Sequence, residues 1–163
     1  MGIYAAGGEV MLDEVNISGV EMGVKVEKGT LKILEGTQIH FMGEYGVKLG
    51  SGVKSADLRG TTIRGDGSGG TGIYVMGGGT LEMTLDGVTV SGVQMGITMM
   101  SGALDVKERT TIDFEKNGWG IYMRDGVTSA SLTGTSNYGK GKWVWDTCGG
   151  GDRDDDDVGW GND

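Results

Sequence analysis

The chain has 163 residues, 35 of them glycine and none proline, with one cysteine and a formal net charge of −9 at pH 7. That length fits one domain, and the acidic balance argues against a nucleic-acid backbone or an anionic membrane as partner. The lone Cys148 excludes an intrachain disulfide framework, and no apolar run reaches the ~18 residues of a membrane-spanning helix.

The chain opens on a repeat. Met1-Gly2-Ile3 lies in register with Met22-Gly23-Val24 and Met95-Gly96-Ile97, so Met1 reads as an internal position of a longer array, with no secretory leader before it. The opening Gly2-Ile3-Tyr4-Ala5 returns at Gly23, Gly46, Gly72, Gly96 and Gly120, at intervals of 21, 23, 26, 24 and 24 residues. A fixed period with variable turns marks a solenoid. Within each unit the apolar residues alternate: Ile73 and Val75 flank Tyr74, Leu81 and Met83 flank Glu82, Val88 and Val90 flank Thr89. Alternation with period two, rich in Val, Ile and Thr and broken by glycine, predicts short half-buried strands and no helix.

Chaining such units sets equivalent strands side by side and parallel, about 4.8 Å apart, with right-handed crossovers. The expected fold is all-β, a right-handed parallel β-helix of about six coils over residues 1–135. Leucine-rich repeats are disfavoured because Val93 fills their asparagine position and no helical segment follows. A left-handed β-helix needs about 18 residues per coil, which these intervals exceed.

The expected interior is a set of columns. One runs Ile3, Val24, Val47, Ile73, Ile97, Ile121, and its neighbour Ala5, Val26, Leu49, Val75, Met99, Met123. Two more are Leu12, Ile33, Leu58, Met83, Val106, Leu132 and Ile17, Ile39, Ile63, Val90, Ile112. The glycine before each Ile or Val calls for a positive φ or for close backbone approach.

Two outward columns are candidate sites. Tyr4, Lys25, Lys48, Tyr74, Thr98 and Tyr122 combine aromatic area with positive charge on an acidic chain, which suits contact with a protein or a glycan. Lys32, Asp57, Glu82 and Asp105 form an acidic column, whose neighbouring carboxylates would suit glycoside chemistry or a calcium ion; a solvated charged face is the plainer reading. His40, the only histidine, has no nucleophile in a recognisable triad. Asn16-Ile17-Ser18 is a glycosylation sequon by pattern.

After Thr135 the repeat register is lost, and residues 136–163 read as a Gly/Asp/Trp-rich tail. Gly134 to Lys140 echoes a phosphate-binding loop, but Gly141 stands where Ser or Thr would bind magnesium. Asp152, Asp154, Asp156 and Asp163 fall on calcium-loop positions, yet Asp157 takes the glycine site. No catalytic residue, metal site or cofactor is expected.

The units GIYVMGGGTLEMTLDGVTVSGVQMGITMMSG and VNISGVEMGV resemble the pectin-lyase-like repeats of bacterial autotransporter passenger domains, over residues 2 to 135. The resemblance implies a cell-surface or secreted location, reached across the outer membrane, and a role in adhesion or host interaction. The partner would be a host or cell-surface protein or glycan. A polysaccharide-active enzyme, a lyase or glycoside hydrolase using Asp57, Glu82 and Asp105, is the alternative. Strand edges at the ends of the array predict end-to-end self-association.

Overall fold

The computed structural model describes residues 1–76, 80–107 and 109–134, and the backbone pairing of 136–139 and 142–145. Its strands are β1 (Ile3–Ala5), β2 (Glu9–Leu12), β3 (Asn16–Ile33), β4 (Gln38–Arg59), β5 (Thr62–Arg64), β6 (Thr71–Val75), β7 (Glu82–Asp86), β8 (Thr89–Val106), β9 (Thr111–Leu132), β10 (Ser136–Gly139) and β11 (Lys142–Trp145). Every pairing among the described residues is parallel and joins one coil to the next. The chain is a parallel β-solenoid without helices.

Each coil has three faces. Face A begins the repeat, with Ile3, Val24, Val47, Ile73, Ile97 and Ile121 in one register column. Those six rungs bound five full turns, and β10 and β11 begin another layer on β9. Face C carries Ile17, Ile39, Ile63, Val90 and Ile112 in register as expected. From Val24 to Val106 the members of these columns are almost entirely buried. At about 1.5–3 kcal/mol per fully buried aliphatic side chain, they supply the drive to fold.

Face B differs from the expected register. Leu58 pairs with Leu85, and Leu85 with Val106, while Met83 pairs with Ala56 and Leu104. Met83 therefore sits two residues out of the expected column. The reason is the even period: Leu81, Met83 and Leu85 all point inward, so a slip of two residues keeps every side chain on its own face. What decides between them is the corner, where Ala103 N–H donates to the Leu81 carbonyl at 2.8 Å. A Cβ on Gly102 would meet that same carbonyl oxygen at 2.6 Å. Leu81 thus fills a corner position, and the strand proper begins after it.

The corner before face C is lined by a column of threonines that alternation alone does not single out. Thr37, Thr61 and Thr110 are buried in line with Val15 and Val88. Their hydroxyls are satisfied locally. Thr37 Oγ1 accepts from Val15 N–H at 3.3 Å, Thr110 Oγ1 accepts from Val88 N–H at 3.4 Å, and Thr61 donates to the Arg59 carbonyl at 3.0 Å. Threonine has nearly the shape of valine, and here it also closes the corner's backbone hydrogen bonding.

The repeat glycines act by close approach. Gly2, Gly23, Gly46, Gly72, Gly96 and Gly120 do not carry a positive φ. A Cβ on Gly46 would meet Ile63 Cγ2 at 2.6 Å, the Gly72 carbonyl oxygen at 2.7 Å and Phe41 Cε1 at 2.9 Å. Gly2 stands in the same way against Ile17, Gly23 against Ile39, Gly72 against Val90 and Gly96 against Ile112. In each coil the start of face A packs straight onto the branched side chain of face C.

Pairing does not stop at Thr135. Ser136–Gly139 pairs with Thr111–Phe114, and Lys142, Val144 and Trp145 pair with Trp119, Tyr122 and Met123. The parallel register thus continues through Trp145. The aspartate-rich block expected to be solvated, Asp152 to Asp157, lies outside the described residues.

Gly46→Ala should cost about 1–3 kcal/mol of stability or more, as overpacking does. Gly19→Ala is the comparison: Gly19 has φ +68° but nothing within 4 Å of the added methyl group, so it should cost about 1 kcal/mol. Urea denaturation reads both, and an unchanged Gly46→Ala midpoint would contradict the close-packing account.

Candidate functional site

Face A carries the expected outward column in full register. Tyr4 pairs with Lys25, Lys25 with Lys48, Lys48 with Tyr74, Tyr74 with Thr98 and Thr98 with Tyr122. A second outward column enters at the corner just before each glycine: Met22, Tyr45, Thr71, Met95 and Trp119. The sequence reading missed this one, because its members lie three residues ahead of the first column, across a bend that breaks the two-residue alternation. Its signal was present as Tyr45-Gly46 and Trp119-Gly120, an aromatic placed directly before the repeat glycine.

The two columns interlock. The Tyr45 and Tyr74 rings are 5.0 Å apart and tilted at 48°. Lys48 Nζ stands 4.6 Å from the Tyr45 ring centre and 5.7 Å from that of Tyr74. Both distances fall within cation–π range. Two coils further on, Trp119 and Tyr122 meet edge to face at 5.5 Å. Between these clusters Met95 accepts a weak contact from the Thr98 hydroxyl at 3.9 Å, and Thr71 and Thr98 are buried beneath. The result is one patch of Tyr45, Tyr74, Met95, Trp119 and Tyr122 with Lys48 set into it.

The column's other end is less well assembled. Lys25 Nζ lies 5.4 Å from the Tyr4 ring but is drawn to Glu27 at 2.6 Å. The hydrogen bond to Glu27 holds the Lys25 ammonium above its ordinary pKa. Tyr4 is 56% exposed and has no aromatic neighbour among the described residues. Tyr45 is the perturbed tyrosine: burial, then the Glu44 carboxylate and Tyr74, push its hydroxyl above the ordinary value. A shallow cavity of about 400 Å³ opens beside it, lined by Met42, Gly43, Glu44, Tyr45, Ser68 and Gly70.

The acidic column is not formed as expected. The rung order on face B is Lys32, Asp57, Thr84, Asp105. Glu82 stands in a different row, between Ser55 and Ala103. The cause is the two-residue slip described above, which takes Glu82 out of line and puts an uncharged hydroxyl between the aspartates. Asp57 is also engaged, with Arg59 Nη2 3.0 Å from its Oδ2 and Arg59 Nε 3.2 Å from both carboxylate oxygens. That pairing raises the Arg59 pKa. Lys32 lies 3.6 Å from Glu9. No group of three or more His, Cys, Asp or Glu side chains among the described residues is arranged to hold a metal ion.

With the coil stack on the page, comparison with known families is informative. A family model described as a right-handed beta helix region matches residues 1–151. The chain belongs to that family. The right-handed β-helix has enzymes and non-enzymes among its members, so membership establishes the fold and leaves the activity to the surface. No curated protein and no solved structure matches the chain. No helix among the described residues is long and apolar enough to cross a membrane.

The Lys48 contacts predict an energetic coupling. A double-mutant cycle with Lys48→Met and Tyr45→Leu should give about 0.5–1 kcal/mol in favour of the native pair. Zero coupling by thermal or denaturant unfolding would mean that lysine and ring are merely near one another.

Proposed function

We propose that this β-helix is a non-catalytic interaction module, a piece of a cell-surface or secreted autotransporter passenger that adheres to a host or cell-surface protein. The observation that carries it is the patch of Tyr45, Tyr74, Met95, Trp119 and Tyr122 around Lys48. Tyr, Trp and Met are the residue types that protein interfaces enrich at their cores, and rigid aromatics dominate contact energies. These side chains are half-buried and held by one another, so little freedom is lost on binding. Lys48 adds a positive charge that suits an acidic patch on the partner. The location outside the cell rests on the resemblance of the repeats to passenger domains.

The polysaccharide-active alternative has less to stand on. Its carboxylates, Asp57, Glu82 and Asp105, do not share a column, and Asp57 is tied to Arg59. The register thus favours a binding surface over a reacting pair.

The double variant Tyr74→Ala, Tyr122→Ala should weaken binding to a cell surface at least about tenfold, with the circular dichroism spectrum intact. Protease treatment of the cells should remove binding by the native chain, and glycosidase treatment should spare it. Unchanged binding by the folded double variant would remove this face. Glycosidase sensitivity with protease resistance would replace the protein partner with a glycan.

A further inference from the structure

Face C, away from the aromatic patch, carries a polar trough. On either side of the buried Ile17, Ile39 and Ile63, one outward row starts Asn16, Gln38, Thr62 and the other includes His40 and Arg64. Together with Ser18 these side chains line a cavity of about 290 Å³ floored by Ile39. The first row continues with Thr89 and Thr111, and Arg64 is followed by Ser91.

Its side chains are unspent. Among the described residues, no side-chain hydrogen bond or ion pair engages Asn16, Gln38, His40, Thr62, Arg64 or Thr89. By contrast the other arginine next to a carboxylate, Arg59, is paired. The nearest acid to His40 is Asp66, whose carboxyl is committed to Ser68: both the Ser68 hydroxyl and its backbone N–H donate to Oδ1. Those bonds, with the charge of His40, hold Asp66 below the usual carboxylate range. Arg64 is thus a guanidinium without a carboxylate partner, on a protein of net charge −9.

We infer that this trough binds a linear, hydroxyl-rich glycan along the coil axis, with an oxyanion substituent, sulfate or carboxylate, held at the Arg64 rung. Three features select that ligand. The rows repeat every coil, about 4.8 Å, close to the length of one pyranose unit, so successive sugars meet equivalent amide and hydroxyl groups. The lining has no aromatic or large exposed apolar side chain, which a protein partner would want and which single-stranded nucleic acid would stack on. Arg64 offers a fork of donors matched to a two-oxygen anion, and His40 on the next rung adds a further ring N–H. No bond is made or broken; the site is a binding site. It lies on a different face from the aromatic patch and does not depend on that patch's role.

The test is calorimetry of the full chain with dextran sulfate, carboxymethyl-dextran, unmodified dextran and inorganic sulfate, at about 0.15 M salt to screen non-specific charge. At least one charged dextran should bind, with unmodified dextran and inorganic sulfate at least about tenfold weaker. Which charged polymer binds more tightly names the anion. Arg64→Gln should weaken binding about tenfold or more. The pair Gln38→Ala, Thr62→Val should weaken it further while leaving Arg64 in place. Tyr74→Ala, Tyr122→Ala should leave this binding unchanged, so failure here and failure of the adhesion reading are separable. All of these positions except Tyr74 and Tyr122 are exposed, and circular dichroism checks that each variant keeps its fold. No binding by either charged polymer, equal binding by Arg64→Gln, or inorganic sulfate binding as tightly as the polymer would overturn the inference.

Discussion

The whole stack depends on one contact repeated in every coil, a glycine of face A lying directly on a branched side chain of face C. At Gly46 the space for a methyl group is already occupied from three sides, by Ile63, Phe41 and the backbone of Gly72. The same glycine row therefore does two things. It lets the two faces converge into a narrow core, and it lets consecutive coils approach closely, since the carbonyl of the next repeat glycine is among the atoms in contact. Without it the columns of Val, Ile and Leu could not all reach near-complete burial in coils of only 21 to 26 residues.

Once that contact fixes where each coil begins, register decides which side chains share a surface. Face A gathers Tyr45, Lys48, Tyr74, Trp119 and Tyr122 from three separate coils into one patch. Face C gathers an unpaired arginine and histidine with amides and hydroxyls. Face B does the opposite and disperses its carboxylates. A solenoid puts one side chain per coil on each long surface, so a shift of two residues in one coil is enough to make or remove a site.

Much of this was legible beforehand, for a physical reason. Alternation reports which face a residue takes, and the repeat glycine marks the start of each coil, so face A and face C could be read rung by rung from Ile3 to Ile121 and from Ile17 to Ile112. Face B was not fixed in that way. Between Val75 and Leu85 three apolar residues alternate, and period two cannot tell Met83 from Leu85. Only the corner hydrogen bond to the Leu81 carbonyl separates them. The corner residues Tyr45, Met95 and Trp119 were missed because a bend, and not a strand, carries them onto face A. The trough was missed because its members are ordinary polar residues whose meaning is the absence of an internal partner, and that is a property of the folded surface.

The central claim is the register, and disulfide trapping tests it most directly. In a Cys148→Ser background, the pair Thr84→Cys, Asp105→Cys places two thiols on neighbouring rungs of one column, within the Cα separation a disulfide requires. Glu82→Cys, Asp105→Cys places them in different rows. Mild oxidation should trap the first pair rapidly within one chain and leave the second largely reduced. Faster trapping of the second pair would put Glu82 in line with Asp105, restore the acidic column and contradict the account.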